Sequence, residues 1–204
     1  MTLPRHAEPL RSPVHAGPPD EKAYTSRVLP LFVEYLDDHP KGRLLDVGPG
    51  CGENIRFFAS RVAKLYVCDL FQRLCQETRQ GRSASHIWPD LNYPVGSFEA
   101  VQLWDLGDHL EDREFTRLVE LCVLMLKPKG MLMLTAMGEQ ADGTVSRALA
   151  VGEAFRLHVR AQPDMDLPRH HRQNRELIAL MSPFKLIKSF IYRSGLREFL
   201  FQHP

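Results

Sequence analysis

The chain alternates short apolar runs with stretches in which apolar residues recur every three or four positions. Tyr24, Val28, Leu31, Phe32, Tyr35 and Leu36 have helical spacing, and His39-Pro40-Lys41-Gly42 stops them. Pro30 inside that run predicts a kink or a fresh helix start. Beyond the stop, the period predicts a buried strand over residues 43–47, a helix over 53–62, a strand over 65–68 and a helix over 72–80. Residues 85–88 read as a weaker strand and 98–104 as a stronger one. Phe115, Leu118, Val119, Cys122 and Leu126 mark one face of a helix that Pro128 and Gly130 end, and a strand over 131–136 follows.

Short apolar runs alternating with amphipathic helices require a mostly parallel sheet with both faces covered, because each crossover has to return over the sheet. The end of the chain departs from this rhythm. Residues 184–193 and 196–202 are β-rich runs separated only by Ser194-Gly195, a connection short enough for antiparallel pairing and too short for a parallel crossover. The expected fold class is therefore α/β, a doubly wound, mostly parallel sheet with an antiparallel C-terminal strand. No internal repeat is visible.

A length of 204 residues, 44% hydrophobic and 25% charged, fits one globular domain over residues 22–204. Pro4, Pro9, Pro13, Pro18 and Pro19 mark residues 1–21 as a flexible arm with too little apolar surface to offset its ordering entropy. Lys plus Arg (26) nearly cancels Asp plus Glu (25), so no whole-molecule field draws the protein to nucleic acid or an anionic membrane. The longest apolar stretches, 121–126 and 131–137, fall far short of the roughly 18 residues of a spanning helix. The N-terminal segment lacks the continuous apolar h-region of an export signal. Cys51, Cys68, Cys75 and Cys122 form no CxxC pair, which suits reduced thiols, and the expected location is cytoplasmic.

Candidate chemistry concentrates at Leu44-Leu45-Asp46-Val47-Gly48-Pro49-Gly50-Cys51-Gly52-Glu53, a strand entering a glycine-rich turn and then a helix. At the carboxyl end of a strand such a turn lets a ligand lie against bare backbone with helix N–H groups pointing at it. A dinucleotide fingerprint would place its third glycine at position 53, which is Glu53, and a phosphate loop would end in Gly-Lys-Ser/Thr, which is absent.

The turn resembles the first motif of the class I S-adenosylmethionine-dependent methyltransferases of small-molecule type, an acid followed by Gly-x-Gly-x-Gly, matched by Asp46, Gly48, Gly50 and Gly52 with Pro49 between them. The resemblance implies S-adenosylmethionine as cofactor, with the turn around its methionine part and Asp46 orienting its ammonium. It implies that Asp69 holds the ribose hydroxyls and that Leu70, with Phe71, supplies an apolar face for the adenine. Asp90-Leu91 is similar, more loosely, to the third motif, whose carboxylate and backbone N–H read the adenine edge. Residues 97–104 resemble the family's fourth strand and 105–112 the loop after it, although Phe98-Glu99 stands where the family usually writes Phe-Asp. Trp104, which closes that strand, is counted with the cofactor-binding positions. The resemblance covers residues 42–137, and the terminal hairpin fits the family's reversed seventh strand.

A sulfonium already activates its methyl group, so few catalytic side chains are expected. His109 is the candidate base by its family position, with a packing role as the other reading. Val145, Ala148, Leu149, Gly152, Phe155 and Val159 form a helical stripe broken by Pro163 and Pro168. Because the family often covers its acceptor pocket with an insertion after the fifth strand, residues 139–172 are expected to be a substrate lid or a plain crossover. Arg169-His170-His171-Arg172 with Arg175 reads as a solvated turn or a contact for an anionic substrate, and adjacent histidines lack the spacing by which two imidazoles share a metal, so no metal is expected.

The function expected is methyl transfer to an O or N of a small molecule. An RNA methyltransferase is the alternative enzyme. Against nucleic acid stand the missing Asp/Asn-Pro-Pro-aromatic run after the fourth strand, the absence of a cysteine nucleophile there, and the near-neutral charge. A third reading is a non-catalytic module that binds the cofactor for regulation.

Overall fold

The computed structural model describes residues 23–138, 147–162 and 166–204. The arm expected over 1–21, together with Val145 and Pro163 of the expected lid, lies outside the described residues. The described chain starts with β1 (Ala23–Thr25) and α1 (Leu29–Asp37). It then alternates β2 (Arg43–Asp46), α2 (Gly52–Ala59), β3 (Lys64–Val67), α3 (Leu70–Arg79), a 3-10 segment (Ala84–Leu91), β4 (Phe98–Trp104), a 3-10 turn (Leu106–His109), α4 (Asp112–Met125) and β5 (Leu126–Met137). A hairpin of β6 (Arg147–Val151) and β7 (Arg156–Ala161) follows, then α5 (Asn174–Leu180), β8 (Lys185–Ile191) and β9 (Leu196–Gln202).

The main sheet has the order β3-β2-β4-β5-β9-β8. The pairs β2/β3, β2/β4 and β4/β5 are parallel, and β9 is antiparallel to both β5 and β8. The reversed strand expected from the Ser194-Gly195 connection is thus β9, inserted between β5 and β8. Leu44, Leu45, Val101, Leu103, Leu132 and Leu134 are all fully buried, as strands covered on both faces require. β3 and β4 flank β2 on opposite sides, so the order reverses at the carboxyl ends of β2 and β4, where open α/β sheets form their ligand crevice.

Three expected elements differ. Tyr24 lies on β1 and not on the first helix, which starts later: Ser26 Oγ accepts the Leu29 N–H at 2.9 Å, and Pro30 sits in the first turn where its missing N–H costs nothing. Residues 85–88 belong to the 3-10 segment Ala84–Leu91, since Pro89 cannot donate to a ladder, and β3 is left as the edge of the sheet. The helical stripe through Ala148, Leu149, Gly152, Phe155 and Val159 is a hairpin. Ala154 and Phe155 adopt φ of 50° and 58°, which ends any right-handed helix, and β6 and β7 pair antiparallel across that bend.

With β1 paired to β7, the hairpin makes a second, three-stranded sheet in the order β1-β7-β6. It is fastened beside the glycine turn. Asn54, buried in the first turn of α2, donates from Nδ2 to the Leu149 carbonyl and accepts from the Val151 N–H, both at 2.8 Å, while Arg160 pairs with Glu53 at 2.8 Å. Asn54→Ala is expected to cost about 1–3 kcal/mol of local stability by orphaning both backbone groups. Hydrogen exchange at the Val151 amide reads this directly, and undiminished protection there would place the anchor elsewhere.

Candidate functional site

Asp46 ends β2 and Trp104 ends β4, and the two side chains meet at the point where strand order reverses. Trp104 is fully buried, and its Nε1–H donates to Asp46 Oδ1 at 2.7 Å. The same oxygen accepts the Gly48 N–H at 3.0 Å. A Cβ at Gly48 would lie 2.0 Å from Trp104 Cδ1, so this glycine is required by the indole that covers it. Burial raises the Asp46 carboxyl to about 6, against the lowering effect of the Gly48 and Trp104 hydrogen bonds.

The rest of the turn is different. Pro49 is buried, but Gly50 and Gly52 are exposed, and added Cβ atoms there would meet nothing nearer than Asp69 Oδ2 at 3.7 Å and the Arg56 guanidinium at 4.0 Å. Bare backbone is therefore offered by the second and third glycines, not by the first. Asp69 caps α3, accepting the Gln72 N–H at 2.9 Å, and its other oxygen accepts the Gly50 N–H at 3.0 Å across 19 residues of sequence. Each oxygen keeps a further lone pair, so a diol can still bind there. Leu70 and Phe71 are buried in the core.

Asp90 lies within the 3-10 segment and not after a strand, as does Leu91, which is buried. The Asp90 carboxylate takes Arg73 Nε at 2.8 Å, and its backbone carbonyl accepts from Cys68 Sγ at 3.8 Å. Burial first, and then the charges of Asp90 and Asp69, push the Cys68 thiol up to about 11. The two acids picked out in the sequence thus flank one end of β3.

His109 closes the 3-10 turn after β4 and is 3% exposed. Its Nδ1 lies 2.9 Å from the Pro168 carbonyl, which assigns the proton to Nδ1 and leaves Nε2 with its lone pair and no hydrogen-bond partner. Nε2 stands 4.0 Å from Asp105 Oδ2, and the ring meets Phe71 edge to face at 5.6 Å. Burial lowers its pKa from the ordinary histidine value. A neutral imidazole with a free Nε2 is the form a general base needs.

The basic cluster is not a solvated turn at Arg172. That side chain is buried, donates to the Gly107 and Leu110 carbonyls at 2.7 and 2.5 Å, and pairs with Asp112 at 2.8 Å. His170 N–H donates to the Asp108 carbonyl at 2.7 Å, so the whole segment clamps the turn that carries His109. Burial raises the Asp108 carboxyl to about 7, against the lowering hydrogen bond from the Met137 N–H.

Sequence reasoning missed Asn54, Gln102, Thr135 and Glu198. All are buried, and the last three interrupt otherwise apolar strands, a signal that was present in the sequence.

No protein-family model matches the chain, and no curated protein matches it in sequence. Solved structures do. An S-adenosylmethionine-dependent methyltransferase from Mesorhizobium loti is similar at 14% identity and TM-score 0.58, over 87% of this chain and 98% of that one. The N-methyltransferase NodS from Bradyrhizobium japonicum WM9, in complex with S-adenosyl-L-homocysteine, is similar at 16% identity and TM-score 0.50, over 87% of each chain. The [4+2]-cyclase SpnF is similar at 15% identity and TM-score 0.52, over 87% of this chain and 81% of that one. The fold is that of the class I S-adenosylmethionine-dependent methyltransferases. A cyclase among these structures illustrates that a fold does not by itself fix a reaction.

Two substitutions test the division of labour among the glycines. Gly48→Ala is expected to destabilise by about 1–3 kcal/mol through overpacking against Trp104, whereas Gly50→Ala stays within about 0.5 kcal/mol of the parent. Denaturant unfolding with tryptophan fluorescence measures both, and equal effects would contradict the assignment. A third test concerns pH. With a folded pKa near 6 and an ordinary value of 3.8, Asp46 ionises in the unfolded chain first. Its contribution therefore falls as pH rises from about 4 to 7, by about 3 kcal/mol at most. Asp46→Asn keeps an oxygen for Gly48 and Trp104, so its stability relative to the parent should climb over that window; a flat difference would place the native pKa at its ordinary value.

Proposed function

We propose that the protein is an S-adenosylmethionine-dependent methyltransferase that methylates an O or N of a small molecule. The observation that carries this reading is the open backbone of Gly50 and Gly52 at the strand-order reversal, with the Asp69 carboxylate bonded to the Gly50 N–H. The residues fit the nucleoside end of the cofactor. Asp69 would take the ribose hydroxyls, Asp90 lies nearby at the end of β3, and the uncapped start of α2 faces the turn. Asp46 fits the expected ammonium contact poorly, because Trp104 and Gly48 hold its Oδ1 inside the core. Its role is to lock the turn to β4.

When bound, the cofactor supplies a methyl group on a positively charged sulfur, already activated for transfer. The chain's part is to hold the acceptor in line and exclude water. The small sheet is pinned by Asn54 to the first turn of α2, beside the glycine turn, which supports the lid reading of the segment after β5. His109 would accept a proton from an acceptor hydroxyl at its unpartnered Nε2, held in that tautomer by the Pro168 carbonyl. Among the described residues no helix is long and apolar enough to cross a membrane.

The second reading, a cofactor-binding module without turnover, draws on the indole packed over Gly48, which narrows the methionine side of the turn. Calorimetry with S-adenosylmethionine and S-adenosylhomocysteine, followed by transfer of labelled methyl to a metabolite extract and to RNA, separates these readings. Binding of both ligands with label in a small molecule is expected. Label in RNA selects the other enzyme, binding without label selects the module, and no binding overturns the cofactor reading. Asp69→Ala should weaken S-adenosylhomocysteine by about 1–3 kcal/mol and also cost about 1 kcal/mol of stability through the lost α3 cap; unchanged affinity would remove the ribose assignment.

A further inference from the structure

Three buried side chains on the main sheet and the half-buried Tyr24 leave five buried polar atoms without a hydrogen-bond partner. They are both amide atoms of Gln102, the hydroxyls of Thr135 and Tyr24, and Glu198 Oε1. The register places three of them on one face. Gln102 pairs with Asp46 on one side and Met133 on the other, Thr135 lies two residues beyond Met133, and Thr135 pairs with Glu198. Tyr24, on β1, approaches this row at Glu198. Its ring packs on Tyr192 at 4.7 Å, and the charges of Glu198 and Asp105 act on its hydroxyl.

Glu198 is divided between two tasks. Its Oε2 accepts the Arg27 and Val28 N–H groups at 3.0 and 3.1 Å and the Tyr192 hydroxyl at 2.8 Å, which fixes the start of α1. Its Oε1 takes no part in this. Among the described residues no Lys or Arg side chain makes an ion pair with Glu198. At Gln102, Thr135 and Glu198 Oε1 burial removes hydration that no protein group replaces, which costs stability. Buried polar atoms without a protein partner offer hydrogen-bonding capacity that a ligand can take up.

We infer that Tyr24, Gln102, Thr135 and Glu198 form the acceptor pocket, between the main sheet and the small one, and that it takes a small amine or other N–H-bearing molecule. The ligand donates an N–H to Glu198 Oε1 and sets a neutral polar group between the Gln102 amide and the Thr135 hydroxyl. Carboxylates and phosphates are rejected, because an acceptor oxygen faces them and the carboxylates of Asp46 and Asp105 stand close by. Entry requires β1 to lift, which breaks its three paired residues with β7, the Tyr192 hydroxyl bond to the Thr25 carbonyl and the Ser26 N–H bond to the Phe155 carbonyl. The inference rests on the methyltransferase reading for the reaction alone; the recognition chemistry is independent of it.

The test uses the full chain with matched probes, tyramine against 4-hydroxyphenylacetate and histamine against imidazole-4-acetate, measured by calorimetry with and without S-adenosylhomocysteine. Each amine is expected to bind about tenfold or more tighter than its acid, the scale of one hydrogen bond to a charged group. Glu198→Gln keeps an oxygen for the Arg27 and Val28 amides and turns a donor towards the ligand. It should bring the amine-to-acid ratio near unity with S-adenosylhomocysteine affinity unchanged. Thr135→Val should raise the Tm of the free protein while weakening the amines. Equal binding of amine and acid, binding of neither, or a Glu198→Gln variant that retains the preference would overturn the pocket. An amine preference in a protein that fails to bind S-adenosylhomocysteine would uphold the pocket and remove the cofactor reading.

Discussion

The hydrogen bond from the Trp104 indole to the Asp46 carboxylate joins the carboxyl ends of the two strands between which the sheet changes direction. Because the bond is buried, neither partner can be lost without stranding the other, and the cost of a lone carboxylate in that position is large. Gly48 exists to admit the indole, and the turn beyond it is then thrown outward, leaving Gly50 and Gly52 exposed at the start of α2. Asp69 closes the arrangement by capping α3 and the turn with one carboxylate. Strand ends, turn and both helix starts are thus one mechanically continuous unit.

Around this unit the chain places two clamps. Arg172 reaches into the 3-10 turn after β4 and holds the carbonyls on either side of His109, and Arg197 fastens the same segment from β9 through the Arg172 carbonyl at 2.7 Å. On the other flank Asn54 substitutes for a strand edge, satisfying one donor and one acceptor of β6. Each clamp uses a buried polar side chain on main-chain atoms, which fixes direction as well as distance. The result is that the turn carrying His109 and the small sheet are each tied to the main domain by buried hydrogen bonds.

The buried polar row on the main sheet stands apart from these clamps because Gln102, Thr135 and Glu198 Oε1 have no hydrogen-bond partner. Where Asn54 and Arg172 meet every partner they need, Gln102 and Thr135 meet none. A sheet interior that carries unmet hydrogen-bonding capacity is energetically poised for a ligand, and the donor–acceptor pattern limits which ligand can enter.

The glycine-rich turn, the acid at the end of β3, the terminal hairpin and the four parallel strands were legible in the sequence, because each depends on local rules: strand period, glycine tolerance of tight turns, and the shortness of Ser194-Gly195. The first helix boundary, the 3-10 segment around Pro89 and the β6–β7 hairpin were not. In those stretches the apolar spacing fits more than one period, and the choice fell to partners far away in sequence, Asn54 for β6 and Tyr192 and Glu198 for the start of α1. The sequence also marked Gly48 and Asp46 as special without revealing that they serve Trp104. Local pattern determines which backbone shapes are permitted, whereas the pairing of buried polar atoms across 58 or 171 residues is decided only when the sheet closes, because only then does leaving one unpaired carry a cost.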